Sequence, residues 1–146
     1  KNMKIRNIFL ASDHAGFELK KTIGKFLNKK NGIKIMDLGP KNSNSVDYPD
    51  YAHLLAKKMK NSKENFGILV CGSGIGMDMA ANKHKNIRSA LCYNVRSAKL
   101  SRQHNNANVL TLGSRFTKTE TALKCVNTFI KTNFSKGRHV RRVRKI

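Results

Sequence analysis

Residues 65–76 read Asn-Phe-Gly-Ile-Leu-Val-Cys-Gly-Ser-Gly-Ile-Gly. The first seven form an apolar run that ends on a cysteine, and the glycines that follow break it at once. A strand buried on both faces reads this way, and a helix opens after it at Ile75. Working outward, four more short apolar runs lie at 7–12, 33–38, 88–93 and 108–112. Between them Leu19, Ile23, Phe26 and Leu27 fall on one helical face, as do Ala52, Leu55, Ala56 and Met59. Ala122, Cys125, Val126, Phe129 and Ile130 repeat the pattern near the end, and a weaker helix runs through 97–103. Strands alternating with helices imply βαβ units, right-handed crossovers and a parallel sheet. The expected fold class is α/β, a three-layer α/β/α sandwich on a five-stranded parallel sheet.

The composition bounds the rest. A chain of 146 residues suits one domain, 1–146, ending in a basic segment at 134–146. With 39% hydrophobic residues and a mean hydropathy of -0.52, it reads as globular and not disordered. Its apolar runs are far shorter than the roughly 20 residues that span a bilayer, so no membrane association is expected. The opening Lys-Asn-Met-Lys-Ile-Arg has no long apolar core behind it, so no signal peptide is expected. Three cysteines without a CxxC argue against a disulfide framework or zinc ribbon and for a reduced, cytoplasmic protein. The net charge of +22 raises the prior for nucleic-acid binding. Yet 21 of the 30 basic residues are Lys spread along the chain, and only residues 137–145 concentrate Arg. That tail suits a local phosphate site, because Arg offers planar, multi-donor binding.

In an open parallel sheet, ligands bind outside the carboxyl ends of the strands. The shortlist is therefore Asp13-His14-Ala15-Gly16, Gly39, the Gly72–Gly76 loop, Asn94 and Gly113-Ser114-Arg115. The glycine loop lacks the further Gly and the distant acid of a dinucleotide fingerprint, and no Gly-Lys-Ser/Thr follows. The cysteine sharpens it: a thiol beside a helix start is expected to have its thiolate stabilised, as a base or nucleophile would need. The plain alternative is a buried apolar cysteine ending a strand, and Cys92 and Cys125 are read that way. Asp13, or Ser12, could simply satisfy backbone donors at a helix start. His104 could merely favour the negative end of its helix. His53 and His84, in polar surroundings, receive no role.

Taken together these residues carry a resemblance. Ser12-Asp13-His14-Ala15-Gly16, Asp47-Tyr48-Pro49, Cys71-Gly72-Ser73-Gly74-Ile75-Gly76-Met77, Ala80-Ala81-Asn82-Lys83, His104-Asn105 with Ala107-Asn108-Val109-Leu110, and Gly137-Arg138-His139 resemble type B ribose-5-phosphate isomerases. The wider family includes the galactose-6-phosphate isomerase subunits. The match runs in order over nearly the whole chain. It implies a Rossmann-like sandwich, no cofactor or metal, and a homodimer whose active sites draw on both subunits, with a tetramer left open. It implies Cys71 as general base between C1 and C2, His104 as the residue that opens the furanose ring, and Asp13 beside the sugar oxygens. His14, Arg138 and Arg142 match phosphate-binding positions. Tyr48, Ser73, Asn105 and Arg115, with the backbone of Gly72, Gly74 and Gly76, match substrate-contacting ones. Met77 after Gly76 stands where some members place a Glu base nearby. Asp78 replaces a small or polar residue, and Asn106 replaces the commoner Asp.

The chemistry is consistent with that resemblance. Aldose–ketose isomerisation in the pentose phosphate pathway passes through an enediolate, which needs one base and hydrogen-bond donors for the developing oxyanion. Free N–H groups of the glycine loop can serve as those donors. A phosphate dianion needs two or more cationic donors, and two Arg spaced four apart share one helical face. Galactose 6-phosphate and allose 6-phosphate remain open as substrates. A nucleic-acid-binding domain is the competing class, but the chain lacks the paired aromatics of an RNA-recognition sheet, so no specific nucleic acid is expected.

Overall fold

The computed structural model describes residues 6–146; the opening segment read for a signal peptide lies almost wholly outside them. The elements are β1 (Arg6–Ser12), α1 (Phe17–Asn28), β2 (Ile33–Asp37), α2 (Tyr48–Lys58), β3 (Asn65–Cys71) and α3 (Ile75–Ala81). They continue with β4 (Ser89–Leu91), α4 (Val95–Asn105), β5 (Val109–Gly113), α5 (Thr119–Lys131) and α6 (His139–Val143). The five strands form one parallel sheet in the order β2-β1-β3-β5-β4.

That order assigns each helix to a face. Steps β1→β2 and β4→β5 run one way along the sheet, while β2→β3 and β3→β4 run the other. Right-handed crossovers then put α1 and α4 on one face and α2 and α3 on the opposite one. The packing agrees. Ile8, Leu10, Ile68, Val70, Leu110 and Leu112 meet α1, α4 and α5 in one core. Phe9, Ala11, Leu69 and Cys71 alternate with them and meet α2 and α3 in the other. Burial on both faces is why the strand at 65–71 reads as an unbroken apolar run.

Two elements differ from the sequence reading by more than one residue at an end. The strand expected over 88–93 shortens to Ser89–Leu91, because β4 lies at the sheet edge with β5 as its neighbour. Cys92 therefore sits just past the strand, yet at 2% exposure it is core, as is Cys125. The weak helix at 97–103 lengthens at both ends. The Asn94 side chain accepts a bond from the Ser97 N–H at 2.8 Å, and Asn106 closes the helix in a left-handed conformation. Asn tolerates that conformation better than most residues.

Candidate active site

Strands β1, β3 and β5 end side by side and deliver three loops to one edge. Asp13 is buried, its N–H bonded to the Val70 carbonyl at 3.1 Å. Its Oδ1 accepts the Gly16 N–H at 2.9 Å, so the turn-forming role holds for Asp13, while Ser12 Oγ is buried with no hydrogen-bond partner among the described residues. His14 is exposed, with Nδ1 accepting the Val46 N–H at 3.2 Å, which ties the 41–47 loop to this edge. Arg115 follows β5, and its N–H donates to the Gly72 carbonyl at 2.9 Å. Its guanidinium lies so close to Gly72 that an added Cβ would stand 2.9 Å from Nη1. Tyr48 opens α2 with Pro49 in the first helical turn, where the missing N–H costs nothing. The Tyr48 ring lies over Gly76, and a Cβ there would come within 2.3 Å of it. Gly74 adopts φ +86, so glycine fits this turn for conformational reasons as well.

Cys71 lies at the centre of these loops. It is 4% exposed, and its Sγ accepts the Gly74 N–H at 3.1 Å. The expectation of a stabilised thiolate does not hold. Burial pushes the thiol up, and the nearby Asp13 carboxylate adds to this, while the N–H groups of Met77, Gly74 and Ser73 pull it down only in part. Desolvation outweighs the helix start here because the thiol sits between α2, α3 and the sheet. Asp78 faces away from this chemistry: its Oδ1 accepts from Ser89 Oγ at 2.7 Å, beside Thr111, and burial pushes its carboxyl up.

His104, Asn105, Arg138 and Arg142 are elsewhere. Helix α4 starts at the carboxyl edge and carries its last residues, His104 and Asn105, back to the amino edge where β5 begins. The tail joins them there. The Ser135 N–H donates to the Gln103 carbonyl at 3.0 Å, α6 packs on α4, and the His139 ring stacks on His104 at 4.3 Å and 13°. Arg138 caps the start of this short helix and Arg142 lies in its last turn; both are exposed. The candidate residues thus fall into two groups at opposite edges of the sheet: Asp13, His14, Tyr48, Cys71, Ser73 and Arg115 at one, and His104, Asn105, Arg138 and Arg142 at the other.

Sequence reasoning overlooked two partners. Tyr93 donates its hydroxyl to the Ser73 carbonyl at 3.0 Å, and it stands one residue before the shortlisted Asn94. His139 follows Arg138 in the basic tail, and nothing in the sequence signals its stacking on His104. His53 and His84, left aside, face each other with Nδ1 and Nε2 2.7 Å apart. Among the described residues, no group of three or more His, Cys, Asp or Glu is placed to hold a metal ion. No described helix is long and apolar enough to cross a membrane.

Comparisons with known proteins bear on the same residues. The Ribose/Galactose Isomerase family matches residues 8–146. Ribose-5-phosphate isomerase B of Escherichia coli is 39% identical over 142 residues, covering 97% of this chain and 95% of that protein. Among solved structures, ribose-5-phosphate isomerase B of Mycoplasma genitalium with bound ribulose-5-phosphate superimposes with a TM-score of 0.92. It is 49% identical, over 97% of this chain and 94% of that one. The Anaplasma phagocytophilum enzyme of the same name gives a TM-score of 0.91 at 47% identity over 99% of both chains. With the sheet, the thiol loop and these likenesses in agreement, the chain belongs to the ribose/galactose isomerase family.

Proposed function

We propose that this chain interconverts D-ribose 5-phosphate and D-ribulose 5-phosphate in the cytoplasm, as a step of the pentose phosphate pathway. The observation that carries the reading is the Cys71 thiol, bonded to the Gly74 N–H among glycine backbone and facing Asp13. The Cys71 thiolate takes the proton from C2 of the open-chain aldose, and the electron pair forms the enediolate double bond between C1 and C2. The same sulfur returns the proton to C1, while a proton moves from O2 to O1. Loop N–H groups stabilise the developing oxyanion, worth roughly 10²–10³ in rate where one such donor is removed. Three free buried thiols suit a reducing compartment.

The divided site supports a homodimer. In a two-fold dimer, the carboxyl edge of one subunit meets the amino edge of the other, so each site gains His104, Asn105, Arg138 and Arg142 from the partner. His104 then opens the sugar ring and the two arginines hold the phosphate. Exposed apolar residues beside the thiol loop, Ile75, Met79 and Phe116, give a second copy a surface to bury.

The test is turnover of a panel of five- and six-carbon sugar phosphates by the wild type and single cysteine variants. Cys71→Ala is expected to lose about 10²–10⁴ in kcat, while Cys92→Ala and Cys125→Ala retain turnover. Near-normal turnover of Cys71→Ala would move the base to another group, and preference for a hexose phosphate would move the substrate.

A further inference from the structure

The amino edge of the sheet holds a cleft of about 590 Å³ whose walls include Arg6, Arg88, Arg102, Lys63 and Lys136 against one carboxylate, Glu64. Its volume falls within the roughly 300–1,000 Å³ usual for small-molecule sites. None of the groups assigned above to isomerisation lines it.

Arg102 forms the floor and is only 7% exposed. Its Nε donates to the Thr132 carbonyl at 3.1 Å, and Nη1 donates to Asn106 Oδ1 at 3.0 Å and to the Ala107 carbonyl at 2.5 Å. The guanidinium lies over the rings of Phe66 and Phe129, at 4.9 and 5.7 Å. Its Nη2 makes no hydrogen bond among the described residues. Arg88 is held by an Nε bond to the Asn106 carbonyl at 2.8 Å, and Arg6 lies over Phe66 at 5.2 Å. So three guanidinium groups converge around Phe66 and Asn106. Among the described residues, no ion pair joins any of them to a carboxylate.

Like charges brought together out of water oppose one another, and a buried cation ordinarily has a counter-charge. The strain is visible in Arg102, whose ionisation is pushed down to about 10 by burial and by Arg6 and Arg88. Backbone carbonyls and aromatic faces hold the cluster in place but bring no negative charge. Rigid guanidinium forks with free donors match phosphate oxygens, which accept several such bonds at once.

We propose that Arg6, Arg88 and Arg102 form a second anion site on the amino edge, taking the di- or triphosphate group of a small molecule. Among the described residues that line the cleft, five cations stand against one carboxylate, which suits a ligand of several negative charges better than a single phosphate. The site is independent of how the thiol edge is read.

Calorimetric titration of the intact chain with tripolyphosphate, pyrophosphate and inorganic phosphate tests this, with ionic strength held constant by sodium chloride. The Arg138→Ala/Arg142→Ala double variant serves as the background, so that the two arginines proposed to clamp the sugar phosphate contribute nothing. Saturable binding of one tripolyphosphate per chain is expected there, tighter than phosphate and weakened about tenfold or more by Arg88→Gln and by Arg6→Gln. Among the described residues the Arg6 side chain makes no hydrogen bond, so Arg6→Gln decides the matter even if Arg88→Gln misfolds. Absence of saturable binding, several ions per chain, or unchanged affinity in Arg6→Gln would overturn the site.

Discussion

Cys71→Ala and His104→Asn chains, each inactive alone, should restore one another when mixed. Helix α4 spans 11 residues from the carboxyl edge to His104 and its neighbours. At 1.5 Å per residue, His104 is roughly 15 Å from the edge that carries Cys71. Proton transfer needs heavy atoms about 3 Å apart, so one chain's His104 cannot serve a sugar held at its own Cys71. In a two-fold dimer each site pairs Cys71 of one subunit with His104 of the other. A mixed dimer then holds one site with both lesions and one with neither. Random pairing at equal amounts makes half of the dimers mixed, so about a quarter of wild-type activity should return. The assay is ribose 5-phosphate isomerisation after the two variants are unfolded together and refolded, with distinct tags to count mixed dimers. Cys71→Ala mixed with Asp13→Asn is the control. Both lesions lie on one edge, so every site in a mixed dimer stays broken and no activity should return. Failure of the first mixture, with mixed dimers present, would refute the divided site, as would equal recovery in the control.

Because burial pushes the Cys71 thiol up, kcat/KM should climb about tenfold per pH unit from neutrality past the ordinary thiol value near 8.5. A plateau reached below pH 7.5 would contradict a thiolate base in this setting. Arg138→Ala and Arg142→Ala should each raise KM for the sugar phosphate about tenfold or more, since charge-assisted bonds to phosphate are strong. Steady-state kinetics with unchanged KM in both would remove the clamp assignment while leaving the Cys71 chemistry intact. Lys20→Met tests the loop that carries the His14 contact. Lys20 is 2% exposed, and its Nζ bonds Asp37 at 2.7 Å and the Pro40 carbonyl at 2.9 Å. Urea unfolding should show a loss of about 2 kcal/mol, toward the low end for buried pairs because Asp37 keeps access to water. A loss under about 0.5 kcal/mol would show the bond to be incidental.

The candidate residues at the carboxyl edge are legible because they sit in short, punctuated segments. Cys71 ends an apolar run, and Asp13 and Arg115 follow theirs by one and three residues, so the rule for open parallel sheets finds them without any knowledge of strand order. The thiol's protonation was misread for a related reason. The helix start at Ile75 is local and visible in the sequence, but much of the burial that outweighs it comes from α2 and β1, which approach from distant parts of the chain. The arginine cluster was equally hidden: Arg6, Arg88 and Arg102 are far apart in the chain and meet only because β1, β4 and α4 bring their ends to one edge.

The sequence alone determined the number and type of the principal elements, the parallel sheet and the glycine loop after Cys71. Such features depend on neighbours a few residues apart, where apolar spacing and glycine conformation act directly. Only the tertiary structure decided the strand order β2-β1-β3-β5-β4, and with it which helices share a face. It also decided that His104 and the tail arginines lie across the sheet from Cys71, which no single motif discloses. Those outcomes depend on contacts between distant segments, where burial, crossover handedness and helix length act together and leave no local pattern to read.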